Sequence, residues 1–162
     1  MKIKTADLIG PALRYAVAVC EGFNVGILTV EEQWERFIEG ASPEDLEKYA
    51  DEYADIKAGF KTEICKVHDD GYKSALDARA WRFDEDWGVG GPIIDRALIS
   101  VVHNDDEGQW EAGQRVQLQS MFGFNGDNYS VGPTSLIAAM RCHVTSELGD
   151  EVEIPDELMK QT

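Results

Sequence analysis

The stretch Gly132-Pro133-Thr134-Ser135-Leu136-Ile137-Ala138-Ala139-Met140-Arg141-Cys142-His143-Val144-Thr145-Ser146-Glu147-Leu148-Gly149 decides how the rest of the chain is read. Leu136, Ile137, Met140, Val144 and Leu148 recur at helical spacing and form one apolar stripe. Pro133 suits a first helical position, where no backbone N–H is needed, and Gly149 suits the left-handed stop after the last turn. The pattern predicts a single core helix. Its amino end combines the hydroxyls of Thr134 and Ser135 with free backbone N–H groups and the positive end of the helix dipole, a place where an anion could sit.

Working outward, residues 99–103 read as a β-branched strand, residues 104–108 as a turn and residues 110–121 as a partner strand in which Val116 and Leu118 alternate with Gln117 and Gln119. A polar, glycine-rich loop through Phe122, Phe124 and Tyr129 leads from there into the core helix. Beyond it, the acidic residues 150–157 carry Val152, Ile154 and, just after them, Leu158 as docking positions. At the other end, Met1 to Lys4 alternate as a short edge strand, and Thr5 and Asp7 introduce a helical region. Gly10-Pro11 opens a helix whose buried stripe is Leu13, Ala16, Val17 and Cys20 and which Gly22 ends.

Residues 23–28 read as a connection. Thr29-Val30-Glu31-Glu32 is then a capping box for a helix with Val30, Trp34, Phe37 and Ile38 on its apolar face. Gly40 closes that helix, and Ser42-Pro43 starts another, striped by Leu46, Tyr49, Ala50 and Tyr53. The pair reads as an inserted helical hairpin over residues 27–62, and residues 31–63 hold eleven acidic against four basic residues. Asp69-Asp70-Gly71 is a turn signal, and residues 78–83 read as a strand with Arg79, Trp81 and Phe83 on one face. From Asp84 the loop glycines Gly88, Gly90 and Gly91 run into a helical turn started by Pro92.

These elements predict an α+β fold: a small, mainly antiparallel sheet packed by the N- and C-terminal helices, with the acidic hairpin inserted. A chain of 162 residues with 43% hydrophobic content suits one domain, residues 1–162. The net charge of −16 argues against a nucleic-acid partner, whose phosphates need lysines and arginines, and against anionic membranes. No apolar run of about 18 residues is present, and the first residues lack the apolar segment of a secretion signal. Cys20, Cys65 and Cys142 are an odd, widely spaced set that fits reduced thiols, so a cytoplasmic location is expected.

Three blocks together resemble the NinX-type family of small phage proteins: Met1 to Thr5 with Ala16-Val17-Ala18; Asp86-Trp87 with Gly90-Gly91-Pro92-Ile93-Ile94; and Gly132-Pro133-Thr134 with Leu136 to Cys142 and Leu148 to Pro155. The resemblance covers residues 1–22 and 83–158 and stops at the borders of the hairpin. It implies a phage accessory protein made in an infected bacterial cytoplasm and does not by itself name a chemistry.

The candidate ligand site joins two glycine-proline turns. Gly90, Gly91 and Pro92 would stand beside one helix start and Gly132, Thr134 and Ser135 beside another, with Trp87 and Tyr129 as stacking surfaces and Arg96 or Arg141 as counter-charge. That inventory suits a small nucleotide. Against it, glycine and proline can simply shape turns, Trp87 can fill a core, and Arg141 can anchor a carboxylate such as Asp86 or Asp95. A zinc site from Cys65, His68, Cys142 and His143 has poor spacing, because adjacent residues of a helix point in different directions, and Asp84, Glu85 and Asp86 read as a solvated face rather than a magnesium site. No cofactor and no metal are expected, and three scattered histidines suggest no acid/base pair, so catalysis is not expected either.

Two functional classes follow. One is a counter-defence protein that sequesters a nucleotide-derived immune signal, an ADP-ribose-type or cyclic nucleotide, without chemistry. The other is an acidic protein-binding modulator or DNA mimic that engages a host nuclease or regulator through the hairpin. Homo-oligomerisation is compatible with both.

Overall fold

The computed structural model describes residues 1–75, 78–114 and 129–159. Its centre is helix α6, and the elements before it are met in chain order. Strand β1 (Lys2–Lys4) runs into a 3₁₀ turn (Thr5–Asp7) and helix α1 (Gly10–Cys20), which buries Leu13, Ala16 and Val17 as its stripe predicts. Residues 25–28, expected as connection, form strand β2 (Val25–Leu28), followed by α2 (Val30–Phe37), α3 (Pro43–Lys48) and α4 (Ala50–Ala58). Strands β3 (Glu63–Val67) and β4 (Lys73–Ala75) follow, joined through the expected turn, in which Gly71 takes a φ of +81°.

Where a strand over residues 78–83 was expected, residues 78–81 make a 3₁₀ turn that buries Trp81, with Phe83 buried just beyond it and Arg79 left exposed. Helix α5 (Trp87–Arg96) begins five residues before Pro92, so the proline sits inside the helix and does not start it. The start is set by Asp86, whose carboxylate accepts the N–H of Gly88 at 2.8 Å. Strand β5 (Ile99–Asn104) pairs with β6 (Gln109–Gln114), and β6 with β7 (Tyr129–Gly132), a strand where a loop was expected. Of the expected partner strand, residues 115–121 lie outside the described residues, as do Phe122 and Phe124.

Helix α6 (Ser135–Leu148) is capped by Thr134, whose hydroxyl accepts the Ile137 N–H, so Pro133 precedes the helix by two residues and does not open it. Gly149 ends it as expected, at φ +92°. The expected stripe proves too narrow. Leu136, Met140 and Val144 are buried, but so are Ala138, Ala139, Arg141, Cys142 and His143, whereas Ile137 is half-buried and Leu148 is exposed. The helix is enclosed on several sides by α1, α5 and the β5–β6–β7 sheet, which removes the solvent face that a stripe presupposes.

Strand β8 (Glu151–Glu153) pairs antiparallel with β1, and a last turn of helix, α7 (Asp156–Met159), follows. Val152, Ile154 and Leu158 are buried, as the tail pattern predicts. The architecture is α+β, built on three small antiparallel sheets: β1–β8, β2–β3–β4 and β5–β6–β7.

The acidic helices form the connection between β2 and β3, whose register sets Leu28 opposite Glu63. Three helices take the place of the expected two, because Tyr49 leaves the helical region at φ −111°, ψ +28° and splits α3 from α4. The capping box of α2 is complete: Thr29 accepts from Glu32 N, and Glu32 accepts from Thr29 N.

Candidate functional site

The two glycine-proline regions are neighbours, though not as phosphate loops. Gly90 packs against the Phe83 carbonyl, and a Cβ there would stand 2.9 Å from Leu136 Cδ2, so the first half of α5 lies against the first turn of α6. A Cβ on Gly132 would stand 2.6 Å from the Ala138 nitrogen, so this glycine lets β7 lie on the start of α6. Close packing accounts for both residues. Gly91 lies over the Trp87 ring, and the indole is 55% exposed, so Trp87 does not fill the core.

The two helix heads differ in charge. Asp86 already supplies a carboxylate to the head of α5, whereas the head of α6 is capped by the neutral hydroxyl of Thr134. That cap takes the Ile137 N–H, and the geometry of a helix start leaves those of Ser135 and Leu136 without intrahelical partners. Of the candidate residues, Thr134 and Ser135 stand at the head of α6, and Trp87 and Pro92 on α5, the helix whose Gly90 packs on Leu136.

The other candidates stand elsewhere. Arg141 is buried, donating from Nε to the Leu8 carbonyl and from Nη1 to the Val131 carbonyl, each at 2.8 Å; it ties α6 to β7 and to the start of α1. Two carbonyls, rather than a carboxylate such as Asp86 or Asp95, hold it, and they keep it from serving as counter-charge to a ligand. Arg96, at the far end of α5, donates from Nη2 to both oxygens of Glu21 at 2.7 and 2.5 Å. Tyr129 lines a groove of about 750 Å³ with Lys4, Thr145 and Glu151. Trp87, Thr134 and Ser135 do not line that groove. Burial and the neighbouring Glu111 carboxylate push the Tyr129 phenol upward.

Asp84, Glu85 and Asp86 are not one solvated face. Asp84 is buried and accepts from Arg14 Nε at 2.6 Å, Glu85 pairs with Arg14 and Arg82, and Asp86 caps α5. Burial pushes the Asp84 carboxyl upward despite the arginine. Among the described residues no three of His, Cys, Asp and Glu gather in metal-binding geometry. Burial also pushes the Cys142 thiol up to about 11 and, together with Glu147 and Glu21, that of Cys20 up to about 12. Both are poor nucleophiles as they stand.

Sequence reasoning missed one polar cluster. His143, buried on α6, places Nε2 3.0 Å from Glu21 Oε1, and Glu21 in turn receives Arg96. The three line a groove of about 530 Å³ with Gln114 and Glu147. Glu21 and His143 are 122 residues apart, so no local spacing could have signalled the pair.

The family model described as Bacteriophage P22, NinX matches residues 4–147. No curated protein matches the chain. Among the described residues no helix is long and apolar enough to cross a membrane.

Proposed function

The chain belongs to the bacteriophage P22 NinX family, and from that premise we propose that it is an accessory protein acting in the cytoplasm of an infected host, where it holds a small nucleotide-derived signal without turning it over. The observation that carries this reading is Trp87: a large aromatic residue, 55% exposed, on the first turn of α5, the helix whose Gly90 packs against Leu136 at the neutrally capped head of α6. Base stacking on such a platform contributes roughly 1–3 kcal/mol. The N–H groups of Ser135 and Leu136 and the helix dipole supply the attraction for a phosphate oxygen.

Arg96 and Arg141 are engaged elsewhere, so the phosphate would be held without a guanidinium. Weak phosphate charge is therefore favoured, and a cyclic nucleotide phosphodiester should bind at least as well as an ADP-ribose-type diphosphate. Sequestration asks for tight, selective binding and no bond cleavage, so the ligand should leave the denatured complex chemically unchanged.

Calorimetry against cyclic mononucleotides, cyclic dinucleotides and ADP-ribose, with adenosine as the uncharged control, tests this. Trp87→Ala should weaken binding by the stacking contribution. Thr134→Asp keeps a good cap but sets a negative charge at the phosphate, so it should weaken binding while leaving the fold intact. No binding by any of them at about 50 μM overturns the function. Binding that both variants retain at full strength keeps the function and removes it from this place.

A further inference from the structure

The three acidic helices bury no residue. Rings join the first of them to the third. Trp34 stacks on Phe37 with centroids 5.8 Å apart, Tyr53 meets both edge-on, and Phe60 meets Phe37 at 5.9 Å. The cluster is open on one side: Phe37 is 48% exposed, and Tyr49 and Ile56 are exposed as well. Tyr53 and Ile56, three residues apart, share one face of α4; Tyr49, whose carbonyl accepts the Tyr53 N–H, stands at its start, and Tyr53 continues that face into the ring cluster. This is an apolar face with no partner among the described residues.

Its surroundings define the partner's chemistry. Of the eleven acidic residues in residues 31–63, Glu32 is the one in an ion pair among the described residues, with Lys73. Three of the segment's four basic residues are engaged locally: Arg36 lies over the Tyr72 ring and donates to the Lys73 carbonyl, Lys48 lies over Tyr49 and Lys57 over Trp34. With eleven carboxylates against four basic side chains, the segment has a net charge of −7, and the charge around Phe37, Tyr49 and Ile56 is predominantly negative. An exposed apolar stripe rimmed by one sign of charge marks an interaction surface for a partner of the opposite sign.

We propose that the α2–α4 face docks a basic, amphipathic helix of another protein, its apolar side against Phe37, Tyr49 and Ile56 and its lysines and arginines against the surrounding carboxylates. The occupant is a protein surface rich in lysine and arginine, the chemistry that otherwise neutralises nucleic-acid phosphates. This surface is separate from the junction of α5 and α6, so it stands or falls independently of nucleotide binding.

The test uses the full chain and a synthetic amphipathic helical peptide with leucines on one side and lysines and arginines on the other. Titration should show micromolar binding that weakens as salt is raised. Tyr49→Ser combined with Ile56→Ser should lower affinity at least tenfold, whereas Ile9→Ser, an exposed apolar residue at the start of α1, should leave it unchanged. Peptide binding should also slow amide exchange in residues 30–58 of the unmodified protein, a readout that needs no variant. Three results each overturn the proposal: no binding at about 100 μM, equal binding by the double variant, or equally tight binding of polylysine, which carries charge but no apolar side.

Discussion

Helix α6 and the α2–α4 segment are both helical, and they are held in place by opposite means. α6 has a single hydroxyl cap and buries eight of its residues. The α2–α4 segment has a complete capping box, a second cap at Ser42 and a cluster of rings, and buries none. Helices of eight, six and nine residues are too short to persist on propensity alone, so the caps and ring contacts must substitute for a core. Strong local signals in the sequence thus mark the part of the fold that global packing supports least.

The comparison breaks most readily at Met140, which is fully buried on α6. Met140→Ala should lower the free energy of unfolding by about 2–5 kcal/mol in a denaturant titration, through lost burial and the cavity left behind. A change of about 0.5 kcal/mol or less would be that of a surface residue and would remove α6 from the centre of the fold. Gly132→Ala should follow, at about 1–3 kcal/mol, because the added carbon meets the backbone of α6 and must push β7 away.

Replacing residues 29–62 by Asn-Gly sharpens the contrast. Leu28 and Glu63 are directly opposed, so a two-residue turn can close β2 onto β3. The shortened protein should still unfold in one cooperative transition, with an m-value lowered by less than about a fifth. Loss of cooperativity would show that the acidic helices belong to the main core.

The smallest effect is a difference of sign with pH. Burial would raise the Glu32 carboxyl, but Lys73 and Thr29 together hold it below the ordinary value. Its stabilisation is present above the unfolded value of about 4.3 and is lost as pH falls through the lower folded one. Asp84 does the reverse: burial raises its folded value, so its favourable share is present below the unfolded value of about 3.9 and is lost as pH rises through the folded one. The protection of α2 amides relative to their intrinsic exchange should therefore fall on acidification, and Glu32→Gln should abolish that fall.

What could be read from the sequence follows the same division. Caps, turns and periodic stripes are local, so α1, the Thr29 box, the turn at Gly71, the β5–β6 hairpin and the docking residues of the tail were all legible. Strands β2 and β7 were not, because each is four residues long and is made a strand by a partner distant in sequence or by a sheet edge. The site was legible only as an inventory. Two similar turns brought Trp87, Pro92, Thr134 and Ser135 into one list, but nothing local reveals that Arg141 spends its guanidinium on Leu8 and Val131, or that Arg96 turns to Glu21.

The packing of α1 against α6 also governs how the protein comes into being. Leu13 leaves the ribosome 127 residues ahead of Met140, a delay of roughly 6–25 s at about 5–20 residues per second. Throughout that interval the first helix has an apolar side and no surface to lay it against, while the acidic helices, which need only their own neighbours, can already form. The nascent chain would therefore carry its negative charge in folded shape before its interior exists, which keeps an unfinished and sticky polypeptide in solution until α6 arrives to close it.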